Sequence, residues 1–273
     1  MKTRRQMTAP LGFSLVEILM SLAILAVLAS LVLAVGRQTR RRGGTGVSIV
    51  QLHGLAGANA AYAADHAGDF CPAMSRDNLV RWHGGRGSVG DEFDPARGFL
   101  SPYFGGSKAI LVCPLLEKFV LESFEKGAGG YGYNAEYIGG TPDDRFRGAS
   151  LGDVPNLGRT VMFATTALSQ ADGVQEYPFT EPRYWVDRRG RRRGELQPST
   201  HFRANGRAII AWGDGRVTLE PPTDEEGANF YGGNNKKDAV GWFGPGEENG
   251  FWNPNSPAAR GQPGTNRKTG SVK

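Results

Sequence analysis

From residue 13 to residue 35 the chain reads FSLVEILMSLAILAVLASLVLAV, 23 positions in which Glu17 is the only charge. A helix of about 20 apolar residues is long enough to cross the hydrocarbon core of a bilayer, so this run predicts a transmembrane helix over 13–35. A second pattern follows. Val47, Val50, Gly54, Ala58 and Ala61 recur at helical spacing, with Leu55, Tyr62 and Ala63 widening the stripe, which predicts that the helix continues over 36–68. Gly43, Gly44 and Gly46 predict a joint between the halves, because glycine weakens a helix interior by about 1 kcal/mol per residue. The stop is read at Asp65-His66-Ala67-Gly68-Asp69. Beyond it the apolar segments shorten and alternate with turn signals, predicting strands at 109–113, 160–165, 207–212 and 216–219. Asp214-Gly215 between the last two is a hairpin signal. The fold class this predicts is α+β, a long N-terminal transmembrane helix packed against an antiparallel β-sheet. The long connections 69–106 and 172–200 are expected on the surface.

Charge sharpens the picture at the N-terminus. A carboxylate at bilayer depth costs about 2–4 kcal/mol on insertion scales, so Glu17 requires a partner. Lys2, Arg4 and Arg5 precede the run and Arg37, Arg40, Arg41 and Arg42 follow it, so the positive-inside rule does not decide orientation. The chain carries a formal charge of +5, of which +3 lies in the first twelve residues. The remaining +2 gives no support to nucleic-acid binding. A secretory signal peptide ending near Val32-Leu33-Ala34 is a competing reading, but the apolar run exceeds an ordinary signal core of roughly 7–15 residues. A plain single-pass anchor explains the length and leaves the position of Glu17 unexplained.

The sequence Gly12-Phe13-Ser14-Leu15-Val16-Glu17 after a short basic leader resembles the processing site of type IV prepilins and type II secretion pseudopilins. The resemblance implies cleavage by a prepilin peptidase between Gly12 and Phe13, and N-methylation of Phe13. It implies assembly with other pilin or pseudopilin subunits through Glu17, paired with the Phe13 amine of a neighbouring copy. It also implies residence in the bacterial inner membrane as a single-pass protein, with the C-terminal domain outside the cytoplasm. Later segments are similar to a subset of pilin-like proteins: Cys113-Pro114, Tyr131-Gly132-Tyr133-Asn134 with Gly139-Gly140, Arg159-Thr160-Val161-Met162-Phe163, Asp214-Gly215 and the tail 241–245. That subset carries a His-x9-Asp-Gly element. Here its histidine position is Ala204, His201 lies three residues upstream, and Arg216 stands where a histidine usually follows the Gly. The domain organisation expected is leader 1–12, transmembrane helix 13–35, soluble helix 36–68, β-rich pilin-like domain 69–256 and a disordered tail 257–273.

Candidate chemistry in the soluble part is sparse. His201 and Asp214 suit a base and its orienting carboxylate, but no Gly-x-Ser-x-Gly nucleophile elbow occurs, and Asp214 also suits a turn. The chain is therefore expected not to be an enzyme, and to need no cofactor. Calcium is the one metal for which the residues leave room: Asp224, Glu225, Glu226, Asn229, Asp238, Glu247, Glu248 and Asn249 supply oxygens without EF-hand spacing. His53, His66, His83 and His201 show no paired spacing for zinc. Cys71 and Cys113 are the only cysteines. In an oxidising compartment they either form a disulfide, contributing about 4 kcal/mol by chain entropy, or remain small buried hydrophobes. Aromatic residues gather at Tyr177, Phe179, Tyr184 and Trp185, and again at Phe230, Tyr231, Trp242, Phe243, Phe251 and Trp252. Such residues either bind partners or dock a glycine-rich tail. The function expected is a structural filament subunit. The alternatives are an envelope binding module for polysaccharide or protein that does not polymerise, and a tethered hydrolase centred on His201.

Overall fold

The computed structural model describes residues 15–116, 125–141, 145–187, 191–225 and 227–262, apart from the side chains of 17 and 32–41. The chain divides into two compact units, Met1–Gly43 and Gly44–Lys273. Helix α1, Leu15–Asp65, is assigned without a break through the three glycines read as a joint. In the first unit its apolar side chains stand open, with Leu15 at 76% and Leu25 at 60% exposure. Among the described residues no helix is long and apolar enough to cross a membrane. Of the predicted span, residues 13 and 14 and the side chains of 17 and 32–35 lie outside the described part. The stretch left, 15–31, rises only ~26 Å against a core of about 30 Å. This corrects the transmembrane helix, the fold class built upon it and the single-pass inner-membrane localisation.

In the second unit α1 buries Leu55, Ala58 and Ala63 of the stripe read in the sequence but leaves Val47, Val50 and Ala61 exposed. Ser48, Leu52, Leu55, Asn59 and Ala63 are covered, whereas Val50 is 70% exposed. Two polar residues sit in the stripe because each finds a partner there. Asn59 accepts from the Cys71 amide at 2.9 Å and donates to the Tyr133 hydroxyl at 3.1 Å. Ser48 lies 3.4 Å from the Cys113 sulfur. The helix stops where Ala67 and Gly68 take left-handed backbone, the Gly68 amide bonding back to Ala63.

The β structure is divided among several small antiparallel sheets, a second correction to the single sheet expected. The largest has four strands in the order β11 (Val217–Glu220), β10 (Ala208–Trp212), β4 (Val161–Thr165) and β3 (Tyr131–Tyr133). Ile210 pairs with Ala164 and Tyr133 with Phe163. Two-stranded ribbons are formed by β1 (Val80–Arg81) with β2 (Gly84–Gly85), β5 (Leu168–Gln170) with β6 (Gly173–Gln175), β7 (Tyr184–Val186) with β8 (Arg192–Glu195), and β9 (Thr200–His201) with β12 (Val240–Gly241). Every residue of β4 and β10 is buried, as strands covered on both faces require. Alternation divides β10 between two cores. Ile209 and Ala211 join Leu52, Leu55 and Phe163 beneath α1, while Ala208, Ile210 and Trp212 meet Phe202, Trp242, Phe243 and Trp252.

Two further expectations are corrected. Residues 109–113 are not a strand: Lys108–Leu111 forms the short helix α3, beside a second short helix α2 at Ser101–Phe104. The Gln51 side-chain amide of α1 takes the Ala109 and Val112 carbonyls, so no strand partner is needed. The connection 69–106 is not superficial either, since Trp82, His83, Phe93 and Leu100 are all buried. Trp82 is held by its indole N–H, which donates to the Pro178 carbonyl at 2.8 Å.

Candidate functional site

The second unit carries a cleft of about 910 Å³, and it begins at one buried amide. Asn134 follows β3, and its side-chain N–H groups donate to the carbonyls of Val161 and Trp252, both at 2.9 Å. Its side-chain oxygen accepts from the Tyr137 amide at 3.3 Å. The backbone then closes a π-helical turn, Ala135–Gly139, with the Gly139 amide bonded to the Asn134 carbonyl. Such wide turns are rare and occur often at functional sites. Ile138 is fully buried, while Glu136 and Tyr137 line the cleft. Two glycines allow the floor to close. At Gly140 (φ +75°) a Cβ would sit 1.9 Å from the Arg147 carbonyl oxygen, and at Gly148 it would sit 1.8 Å from that of Phe70.

The β7–β8 ribbon forms a second wall. Alternation sends Tyr184 and Val186 to the cleft and leaves Trp185 between them, 45% exposed and outside the lining. The Arg192 guanidinium lies 4.0 Å from the Tyr184 ring centre, a cation–π arrangement. A third wall is the segment around Glu248 and Asn249, both with left-handed backbone, φ +49° and +65°. Asn249 is buried and joins all three walls. Its oxygen accepts from the Tyr184 amide at 2.8 Å, and its N–H groups donate at 2.7 Å to the Tyr184 carbonyl and the Tyr137 hydroxyl. Burial pushes the Tyr137 phenol up to about 12, and the nearby carboxylates of Glu136 and Glu248 push the same way. The phenol stays neutral near pH 7, its oxygen already accepting a bond and its hydrogen available to donate.

Charges around the cleft nearly cancel. Glu136, Asp153, Asp187 and Glu248 face Arg145, Arg147 and Arg192. Some are committed elsewhere: Arg147 pairs with Asp69 at 2.9 Å, and Asp187 takes Arg191 and Arg193, each at 2.8 Å. The arrangement offers donors and acceptors together with two phenol rings, and its lining is more polar than apolar.

The residues singled out from the sequence lie elsewhere. Gly12 and Phe13 fall outside the described residues, and Glu17 stands in α1 with its side chain outside them. Cys71 and Cys113 are both buried and both free thiols, so no disulfide joins them. The Cys71 thiol bonds the Pro72 carbonyl, and burial raises its pKa well above the ordinary value. His201 is buried on β9 and faces backbone of Asp238, whereas Asp214 accepts from the Arg216 amide at 3.0 Å in the hairpin turn. The two are not brought together as a catalytic pair. Three of the candidate calcium residues are bonded within the protein: Asp224 to Arg183, Asp238 to the Ser169 hydroxyl, Asn229 in its own loop. Glu226 lies outside the described residues. Among those described, no group of three or more His, Cys, Asp or Glu is gathered to hold a metal ion.

The cleft was not assembled by the sequence reading. Its parts were visible separately, as Tyr131-Gly132-Tyr133-Asn134, as Tyr184, and as Glu248-Asn249 among the calcium oxygens. Asn249 and Tyr137 are separated by 112 positions, and no local pattern joins them. No family model matches the chain, and no curated protein or solved structure does either.

Proposed function

We propose that this chain is a structural subunit of a pilin-like filament, of the type II secretion or type IV pilus kind, processed by a prepilin peptidase after Gly12. The observation that carries this reading is the first stretch of α1. From Leu15 to Leu31 its large apolar side chains are more than half exposed on every face. Each such side chain gains about 1.5–3 kcal/mol on full burial, so the stretch favours a partner that covers it all round. A bundle of identical helices does so.

Glu17, alone among those apolar positions, then has a specific task. Its carboxylate pairs with the Phe13 amine of a neighbouring copy and sets the axial register, since a charge removed from water is tolerated when paired.

Two measurements test the reading. Mass spectrometry of the mature protein should find an N-methylated Phe13 at the terminus; a start near residue 35 would indicate signal-peptide cleavage instead. Glu17→Ala should still be processed but should be lost from sheared filaments, and normal incorporation of the variant would contradict the register role.

A further inference from the structure

No residue of α1 lines the cleft, yet its walls are closely tied together. Asn249 spends its entire side chain on fixing Tyr137 and Tyr184. Glu248 and Asn249 hold left-handed backbone, which is strained for residues with a side chain. Strain of this kind persists where the surroundings enforce it, and it gathers at ligand sites. Preorganised walls of this sort reduce the entropy lost when a ligand is ordered. The volume, about 910 Å³, lies within the range of small-molecule sites, roughly 300–1,000 Å³.

The chemistry of the lining decides the ligand class. Four carboxylates and three guanidinium groups share the rim. A polyanion would meet Glu248 and Asp153, and a polycation would meet Arg145 and Arg192, so neither is accommodated without like-charge contacts. An apolar ligand finds only Val186 and Ala149 among the larger carbon surfaces beside the two phenol rings. A neutral ligand dense in hydroxyls satisfies all of them. Carboxylates accept from hydroxyls, guanidinium and phenol donate to hydroxyl and ring oxygens, and charge-assisted bonds are the stronger ones. Arg192 laid over Tyr184 adds a flat plate on which the C–H face of a sugar ring can rest.

We propose that the cleft between the π turn and the β7–β8 ribbon binds a neutral oligosaccharide, with Glu248, Arg192 and Tyr137 reading its hydroxyls. The filament subunit then carries its own glycan contact in the second unit. The proposal does not depend on polymerisation.

The test is calorimetric titration of the full-length protein with cellohexaose, xylohexaose, mannohexaose and chitohexaose, alongside hexagalacturonate and hexalysine as charged comparisons. At least one neutral hexamer should bind. Glu248→Asn, which removes the charge while tolerating left-handed backbone, and Arg192→Gln should each weaken that binding about tenfold or more, as loss of a charged hydrogen bond requires. Trp185→Ala, on the opposite side of β7, should leave the affinity unchanged. The proposal is overturned if no neutral hexamer binds at millimolar concentration, if a charged oligomer binds more tightly than every neutral one, or if both cleft variants retain full affinity.

Discussion

Three asparagines organise the second unit, each by using both ends of its amide. Asn59 ties α1 to β3 and to the segment after the helix. Asn134 ties the π turn to β4 and to the C-terminal chain. Asn249 ties the cleft walls together. A buried amide left with one end unbonded loses about 1–3 kcal/mol, so such residues specify a single arrangement. His83 is the opposite case. It is fully buried, and neither ring nitrogen has a hydrogen-bond partner among the described residues. It lies against Trp82 and Phe93 and is flanked by Arg81, itself paired with Glu125, and by Arg86. Burial, then Arg81 and Arg86, hold its pKa well below 6.5. Burial and then Arg203 do the same for His201, against a smaller opposing effect of the Asp238 backbone. Above pH 6.5 both folded and unfolded imidazoles are neutral and contribute nothing. Below it only the unfolded chain takes up protons, so stability falls with pH, on the order of 1 kcal/mol per pH unit for each histidine. Urea midpoints should therefore drop between about pH 7.5 and pH 5.5, and His83→Phe should remove about half of the drop. A midpoint independent of pH across that window would contradict the buried neutral state.

At the scale of elements, legibility followed the range of the interactions involved. The runs at 160–165, 207–212 and 216–219 are apolar and bounded by turns, and they form β4, β10 and β11. Asp214-Gly215 makes the turn locally, the Asp214 carboxylate accepting from the Arg216 amide and Gly215 taking φ +86°. The face of α1 was read only in part, Leu55, Ala58 and Ala63 being buried as expected, because apolarity was taken as the sole mark of the buried side. Ser48 and Asn59 are on that side, with partners 65 and 74 positions away, and Val50 is not. The two readings of the helix separate by mutation. Leu52→Ala, at a buried position outside the stripe read in the sequence, should cost about 2–5 kcal/mol, as cavity-forming core changes do. Val50→Ala should stay within about 0.5 kcal/mol, as exposed positions do. Equal costs at the two positions in urea denaturation would reverse the assignment of the face.

For the molecule as a whole, the four-stranded sheet separates a core beneath α1 from a core of aromatic rings. Trp242, Phe243 and Trp252 are buried in the second of these, while Phe230, at 87% exposure, stays outside it. Neither core needs a cross-link. Cys71 and Cys113 are packed as free thiols in the first core. Alkylation without reductant should leave both unmodified in the native protein and modify both after denaturation, and a failure to label in denaturant would restore the disulfide. The sequence by itself determined the local features: the apolar run with its single carboxylate, the central strands and the Asp-Gly hairpin. Each follows from neighbours a few positions apart, through periodicity or turn geometry. Tertiary structure alone decided the polar part of the buried face of α1, the separation of His201 from Asp214 and the cleft. These depend on amide, hydroxyl and aromatic groups brought together from distant positions, where a polar residue is buried only because its partner is present.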